Sequence, residues 1–122
     1  MAAPSGVLRK NWSFLLRTYL VTGGAGFIGS HLCEALLQRG DGVVVLDHMS
    51  SGKDSNLAAV RDRLTFIRGD IRNLAELDGQ IPSVDGVVHL AALISGQDSL
   101  REPDEYDDVN VRGTMRVIEF AA

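Results

Sequence analysis

The sequence predicts an α/β fold built on a doubly wound parallel sheet, and three observations carry that reading. Short apolar runs rich in Val, Leu and Thr recur four times; helical or turn signals fill the stretches between them; and the first run ends in three glycines at three-residue intervals, in VTGGAGFIGSHL over 21–32. Strands alternating with helices through short connections imply an open parallel sheet covered by helices, with right-handed crossovers. The chain has 122 residues, 45% of them apolar, which is room for one domain with a modest core. About four strands with flanking helices are expected, the first half of such a sheet.

TYLVTG, over 18–23, is a short β-rich run, and from Phe27 the apolar residues fall at helical spacing (Phe27, Ile28, Leu32, Ala35, Leu36) until Gly40 ends the pattern. GVVVLDH, over 42–48, has no polar alternation, the mark of a parallel strand buried on both faces. LTFIRGD (64–70) reads as a third strand, NLAELDG (73–79) as a short helix and VDGVVHLAA (84–92) as a fourth strand ending in small residues. The last segment opens with Pro103 and acids in its first turn, both favoured at a helix N-terminus. Val111, Met115 and Ile118 are expected to form its buried stripe. Tyr106, Val109, Val117 and Phe120 form a second apolar stripe, which serves either packing against further helices or a dimer interface.

A formal net charge of −4 and a chain with two lysines, Lys10 and Lys53, offer no basic stripe to neutralise phosphates, so nucleic acid and anionic membrane are excluded as partners. Cys33 stands alone, without a disulfide partner or a Cys-x-x-Cys pair, which fits a reducing, cytoplasmic compartment and a buried apolar role. The leader over 1–16, MAAPSGVLRKNWSFLL, is basic and acid-free, but its apolar stretch is too short for a signal peptide or a membrane span. It is expected to be a disordered or loosely packed extension, or the product of a misplaced start codon, with an organelle transit segment as a less favoured alternative. Residues 17–122 then form the folded unit.

The glycines at the end of the first strand have a chemical reading. Gly23 would let the chain turn sharply off the strand, Gly26 would let backbone approach a pyrophosphate, and Gly29 would let the following helix pack close. That helix would aim free N–H groups at the phosphates. A bare glycine pattern can also be only a tight turn. Here it follows a strand, opens a helix and is followed eighteen residues after Gly29 by Asp47, at the end of the second strand. A carboxylate there accepts ribose hydroxyls and repels a 2′-phosphate, so a dinucleotide is expected, NAD rather than NADP.

With these motifs in view, the chain resembles the N-terminal part of the extended short-chain dehydrogenase/reductase family, the NAD-dependent epimerases and dehydratases that act on nucleotide sugars. TGGAGFIGSHL resembles the family's phosphate loop, which implies that Gly23, Gly26, Phe27, Ile28 and Gly29 line the cofactor. LDHMSSGKDSNL resembles the loop after the second strand: Asp47 would hold the ribose, and His48, where the family usually has Asn, would lie along the adenosine with Ser50, Ser51 and Gly52. GDIR (69–72) resembles the segment in which Asp70 takes the adenine amino group and Ile71 packs on the ring. HLAA (89–92) resembles the strand end that runs beside the nicotinamide ribose, through Leu90, Ala91 and Ala92. The segment from Asn110 to Thr114 resembles the family's Asn-Val-x-Gly-Thr, whose Asn ties the active-site backbone together.

The family's proton carrier is a Tyr-x-x-x-Lys pair on a later helix. Tyr19 is followed four residues on by Gly23 and Tyr106 by Asn110, so no catalytic residue is assigned. The resemblance implies the NAD-binding portion of an enzyme similar to UDP-glucose 4-epimerase, truncated before its catalytic and substrate-binding parts and inactive alone. In the full-length protein the partner would be a nucleotide sugar, with homodimerisation through the C-terminal helix. The alternative is a non-catalytic NAD(H) sensor or scaffold. His31 and His89 lack partners at metal-ligand spacing and are read as structural, so no metal site is assigned. The acid run from Glu102 to Asp108 is read as a solvated helix start.

Overall fold

The computed structural model describes residues 17–49, 52–91 and 101–122. Among these, four parallel strands form one sheet: β1 (Thr18–Thr22), β2 (Gly42–Asp47), β3 (Thr65–Arg68) and β4 (Gly86–His89), in the order β3-β2-β1-β4. All three pairings are parallel, with Leu20 opposite Val44 and Val87, and Leu46 opposite Ile67.

The Val-rich run of β2 is buried from Val43 to Asp47 because both faces of the sheet are covered. Its side chains alternate between two cores. Val44 and Leu46 join Leu20, Ile67, Ile71, Leu74 and Val117 on one face, while Val43 and Val45 join Val21, Cys33, Leu37 and Leu57 on the other. Burial also pushes the Cys33 thiol up to about 11, with Glu34 adding to the shift, so the thiol stays protonated and acts as an apolar filler.

Helix α1 (Phe27–Arg39) follows the glycine turn and ends at Gly40, whose φ of 98° lets its N–H reach the carbonyls of Leu36 and Leu37. Beyond it the buried carboxylate of Asp41 accepts the Arg17 N–H at 3.0 Å and Arg39 Nε at 2.7 Å, pinning the helix end to the start of β1. The connection from β2 to β3 carries two 3-10 turns, Asp54–Leu57 and Arg61–Arg63, where a helix would complete the alternation expected of the chain. The turn Ile71–Asn73 and helix α2 (Leu74–Leu77) follow β3. After β4 come helix α3 (Pro103–Asp107), a π-helical turn (Asp108–Arg112) and helix α4 (Gly113–Ala121). Among the described residues no helix is long and apolar enough to cross a membrane.

Two expectations about the C-terminal helix are overturned: Val111, Met115 and Ile118 are not its buried stripe, and Val109 and Val117 pack into this sheet's own core rather than serving an outer interface. Val111, Met115 and Ile118 are 51%, 55% and 62% exposed, whereas Val109 and Val117 are buried. The cause is Gly113, which brings this face against the loop after β3: a Cβ there would lie 2.5 Å from Ile71 Cδ1. The inward face is therefore Val109, Gly113 and Val117, at steps of four, and the bulky stripe turns outward. In α1, Phe27, Ile28 and Ala35 are likewise exposed, and Gly29, Ser30, Cys33 and Leu37 form the buried face.

Candidate functional site

The sheet order reverses between β1 and β4, because the chain leaves β3 at one edge and returns at the other. That switch opens a crevice beyond the carboxyl ends of the strands, where open α/β sheets bind ligands. A cavity of about 560 Å³ lies there.

The glycine turn forms one wall. Gly23 has φ 74°, and its N–H donates to the Leu46 carbonyl at 2.8 Å; a Cβ on it would sit 2.8 Å from the Leu90 carbonyl carbon and from the Ala91 nitrogen. A Cβ on Gly29 would collide with the Gly23 carbonyl oxygen and lie 2.8 Å from the Gly24 Cα, so only glycine lets the helix press against the turn. Gly26 differs: its φ is −75°, and a Cβ there meets one atom within 4 Å, the Gly23 oxygen at 3.3 Å. It faces the cavity, as do Phe27 and Ile28 at the start of α1, whose first N–H groups have no intrahelical acceptor.

Asp47 forms the second wall and is only 7% exposed. Its Oδ2 accepts the Ala25 N–H at 2.9 Å and its Oδ1 the Met49 N–H at 2.7 Å, which supports Met49 at a φ of 68°. This carboxylate therefore builds the glycine turn as well as facing the cavity. The turn is further tied to the next loop through the Ala25 carbonyl, which accepts from the Lys53 N–H at 3.1 Å and from Asn56 Nδ2 at 2.8 Å. Gly52, Lys53 and Asn56 all line the cavity.

Asp70 stands at the far end. Its Oδ1 caps the turn after β3 by accepting the Arg72 N–H at 2.9 Å, and its Oδ2 accepts Arg72 Nη2 at 2.5 Å; His48 Nε2 lies 3.8 Å away. Burial opposes ionisation of this carboxyl, but the hydrogen bonds and charge of Arg72, with His48, outweigh it and hold the group below the usual carboxylate range. Arg72 also donates Nη1 to Asp108 Oδ2 at 3.0 Å, joining the β3 end to the π-helical turn. Between two carboxylates, Asp70 foremost, its guanidinium is held charged beyond its ordinary value.

Leu90 and Ala91 form the floor, directly after β4. His89 sits behind them, with Nδ1 2.6 Å from Thr22 Oγ1 and Nε2 2.9 Å from Thr114 Oγ1; burial lowers its pKa. His31 Nδ1 lies 2.7 Å from the Phe27 carbonyl oxygen, and its ring packs on Phe27. Among the described residues no three His, Cys, Asp or Glu side chains gather as metal ligands.

Of the residues singled out from sequence, Gly23, Gly26, Phe27, Ile28, Gly29, Asp47, His48, Gly52, Asp70, Ile71, Leu90 and Ala91 line this one cavity. Ser50, Ser51 and Ala92 lie outside the described residues. Asn110 stands in the π-helical turn, where its neighbour Val109 reaches the lining. Leu46, Lys53, Asn56 and Gly69 also contribute to the lining; they fall within the segments LDHMSSGKDSNL and GDIR, whose motifs do not single them out.

Comparison with known proteins identifies the family. The family model described as NAD dependent epimerase/dehydratase family matches residues 19–122. A UDP-glucose 4-epimerase of Klebsiella pneumoniae is 43% identical over 106 residues, covering 81% of this chain and 76% of that protein. The UDP-glucose 4-epimerase structure from Thermotoga maritima, solved with UDP-glucose, superposes with a TM-score of 0.77 at 37% identity, over 84% of this chain and 33% of that one. A dTDP-glucose 4,6-dehydratase from Streptomyces venezuelae, solved with NAD, gives 0.77 at 39% identity, over 85% of this chain and 35% of its own. The chain thus spans about a third of the length of these solved relatives. A glycine turn, a buried carboxylate at the end of β2 and a switch-point crevice, in a chain whose residues 19–122 match this family, make the protein a member of the NAD-dependent epimerase/dehydratase family.

Proposed function

We propose that residues 17–122 form the NAD-binding portion of a nucleotide-sugar epimerase or dehydratase of the UDP-glucose 4-epimerase kind. The observation that carries this reading is the pairing, in one cavity, of the α1 N-terminus with the buried carboxylate of Asp47. The fit rests on the glycine wall: Gly26 leaves open space where any other residue would place a side chain. Gly26, Phe27 and Ile28 would hold the pyrophosphate by backbone N–H groups and the helix dipole. Each Asp47 oxygen accepts one backbone N–H and keeps a further lone pair for a ribose hydroxyl. His48, Asp70 and Ile71 would enclose the adenine, and Leu90 and Ala91 would run under the nicotinamide ribose. Bound NAD would supply a hydride acceptor; the residues here bind and orient it.

Calorimetry on the intact protein tests this. NAD is expected to bind at least about tenfold more tightly than NADP, a difference of about 1.4 kcal/mol, because the Asp47 charge opposes a 2′-phosphate. Gly26→Ala is expected to weaken NAD by a similar factor while changing the unfolding free energy by under about 1 kcal/mol, since its backbone tolerates alanine. A folded protein that binds NADP equally well, or an alanine variant with full affinity, would overturn the reading.

The outward stripe of Val111, Met115 and Ile118 is where we place homodimer contacts, since a contiguous apolar face of this kind marks an interaction surface. Sedimentation velocity on the unmodified protein is expected to give a dimer that Met115→Glu converts to monomer; a species unchanged by the substitution would refute that placement.

A further inference from the structure

We propose that Thr22, His89 and Thr114 form a one-directional hydrogen-bond relay that sets the floor of the cavity, with His89 locked as the neutral tautomer carrying its proton on Nε2. The purpose given to the floor rests on the NAD reading above; the direction of the relay does not.

The direction follows from counting protons and lone pairs. Thr114 Oγ1 donates to the Asn110 carbonyl at 2.6 Å, the backward bond common to helical threonines. Its single proton is thereby used, so toward His89 Nε2, 2.9 Å away, it can only accept. Nε2 must then carry hydrogen. A neutral ring protonated on Nε2 has its lone pair on Nδ1, and the Thr22 hydroxyl, 2.6 Å away, donates to it. Thr22 Oγ1 in turn accepts the N–H groups of Leu90 at 3.0 Å and Ala91 at 3.2 Å, the former shared with the Thr22 carbonyl at 2.9 Å. Thr22 is fully buried, so water supplies no substitute partner.

Every proton and acceptor site that the chain needs is therefore used once. A proton added at Nδ1 would face a hydroxyl whose lone pairs already accept two N–H groups, and burial independently disfavours the charged ring. Reversing the tautomer would set two acceptors against each other at Nε2 unless Thr114 gave up Asn110, and two donors against each other at Nδ1.

The relay joins three segments distant in sequence. Thr22 directly precedes Gly23, whose pocket-side space is bounded by the backbone of Leu90 and Ala91, and Asn110 belongs to the π-helical turn. His89 thus acts as a positioning residue: it does not itself line the cavity, and it holds the glycine turn, the exit of β4 and the C-terminal helix in one register.

Long-range proton–nitrogen correlation NMR on the intact protein with nitrogen-15 histidine reads the tautomer directly. The expected result near neutral pH is an unprotonated Nδ1 and a protonated Nε2 for His89. The opposite tautomer, or the averaged signal of a free imidazole, would overturn the relay. A second arm compares Thr22→Val, which removes the hydroxyl at constant shape, with Thr22→Ser, which keeps it. NAD affinity is expected to fall about tenfold in the valine variant, as two buried N–H groups lose an acceptor, and to return to within about twofold in the serine variant. A folded Thr22→Val protein with unchanged affinity would remove the relay from the floor. If the unmodified protein binds no NAD, the cofactor reading fails and the tautomer alone decides the relay; the same holds if Thr22→Val does not fold.

Discussion

Gly29→Ala is expected to lower the unfolding free energy by about 2 kcal/mol or more, although alanine normally favours a helix interior over glycine by about 1 kcal/mol. The sign is decided by what the new methyl meets. It would collide with the Gly23 carbonyl oxygen and press on the Gly24 Cα, and neither backbone atom can rotate aside as a side chain does. Relief requires moving α1 off the turn, which also breaks the Ala25 bond to Asp47 at 2.9 Å. Small domains hold only about 5–15 kcal/mol, so a loss of this size moves a urea midpoint visibly. Circular dichroism through a urea series is the check, and a midpoint equal to that of the unmodified protein would show that α1 does not seat against the turn as described.

The second large effect is expected at Arg72. Arg72→Met keeps the length of the stem but leaves Asp70, 9% exposed, with one backbone N–H and a histidine 3.8 Å away, and it severs the β3 end from Asp108. Breaking a buried pair by removing one partner costs about 3–5 kcal/mol; Arg72 is partly exposed, so about 2 kcal/mol is expected here. The pH dependence carries the sign. The carboxyl of Asp70 is held below its ordinary value of about 4, so its contribution is full above that value and is lost as pH falls through the folded value. The unmodified protein should therefore lose stability below about pH 4, and the methionine variant should lose less over the same interval. Urea midpoints at pH 7 and pH 3 measure both quantities. Equal losses in the two proteins would show that Arg72 does not hold the charge on Asp70.

Much of this molecule is legible in its sequence because the relevant signals are local. The Val43–Leu46 run declares a strand covered on both faces without reference to any other residue, and a glycine at Gly29 followed by an acid at Asp47 declares a turn and its counterpart. What could not be read depends on contacts between distant segments. The C-terminal helix offers two apolar stripes, and period alone does not choose between them. The choice falls to Gly113, a residue that a search for apolar bulk passes over, because only there can the helix approach Ile71. The π-helical turn just before it also shifts the angular count by an extra residue, so a steady 3.6 period carried across Asp108–Arg112 loses its face. Arg72 was illegible for another reason. One arginine in a loop looks like any solvated charge until the fold sets Asp108 beside it. The same applies to Asn56, whose bond to the Ala25 carbonyl spans 31 residues of sequence.

The sheet order has a consequence in time. Strands β1, β2 and β3 pair with neighbours close in sequence, whereas β4 reaches β1 across 67 residues, from Thr22 to His89. Closing so long a loop is slow relative to forming the local pairs. The glycine turn and the Asp47 anchor, both built from nearby residues, therefore form before β4 brings Leu90 and Ala91 to them. Until then the turn has walls and no floor, and retention of a dinucleotide must wait for β4 to arrive.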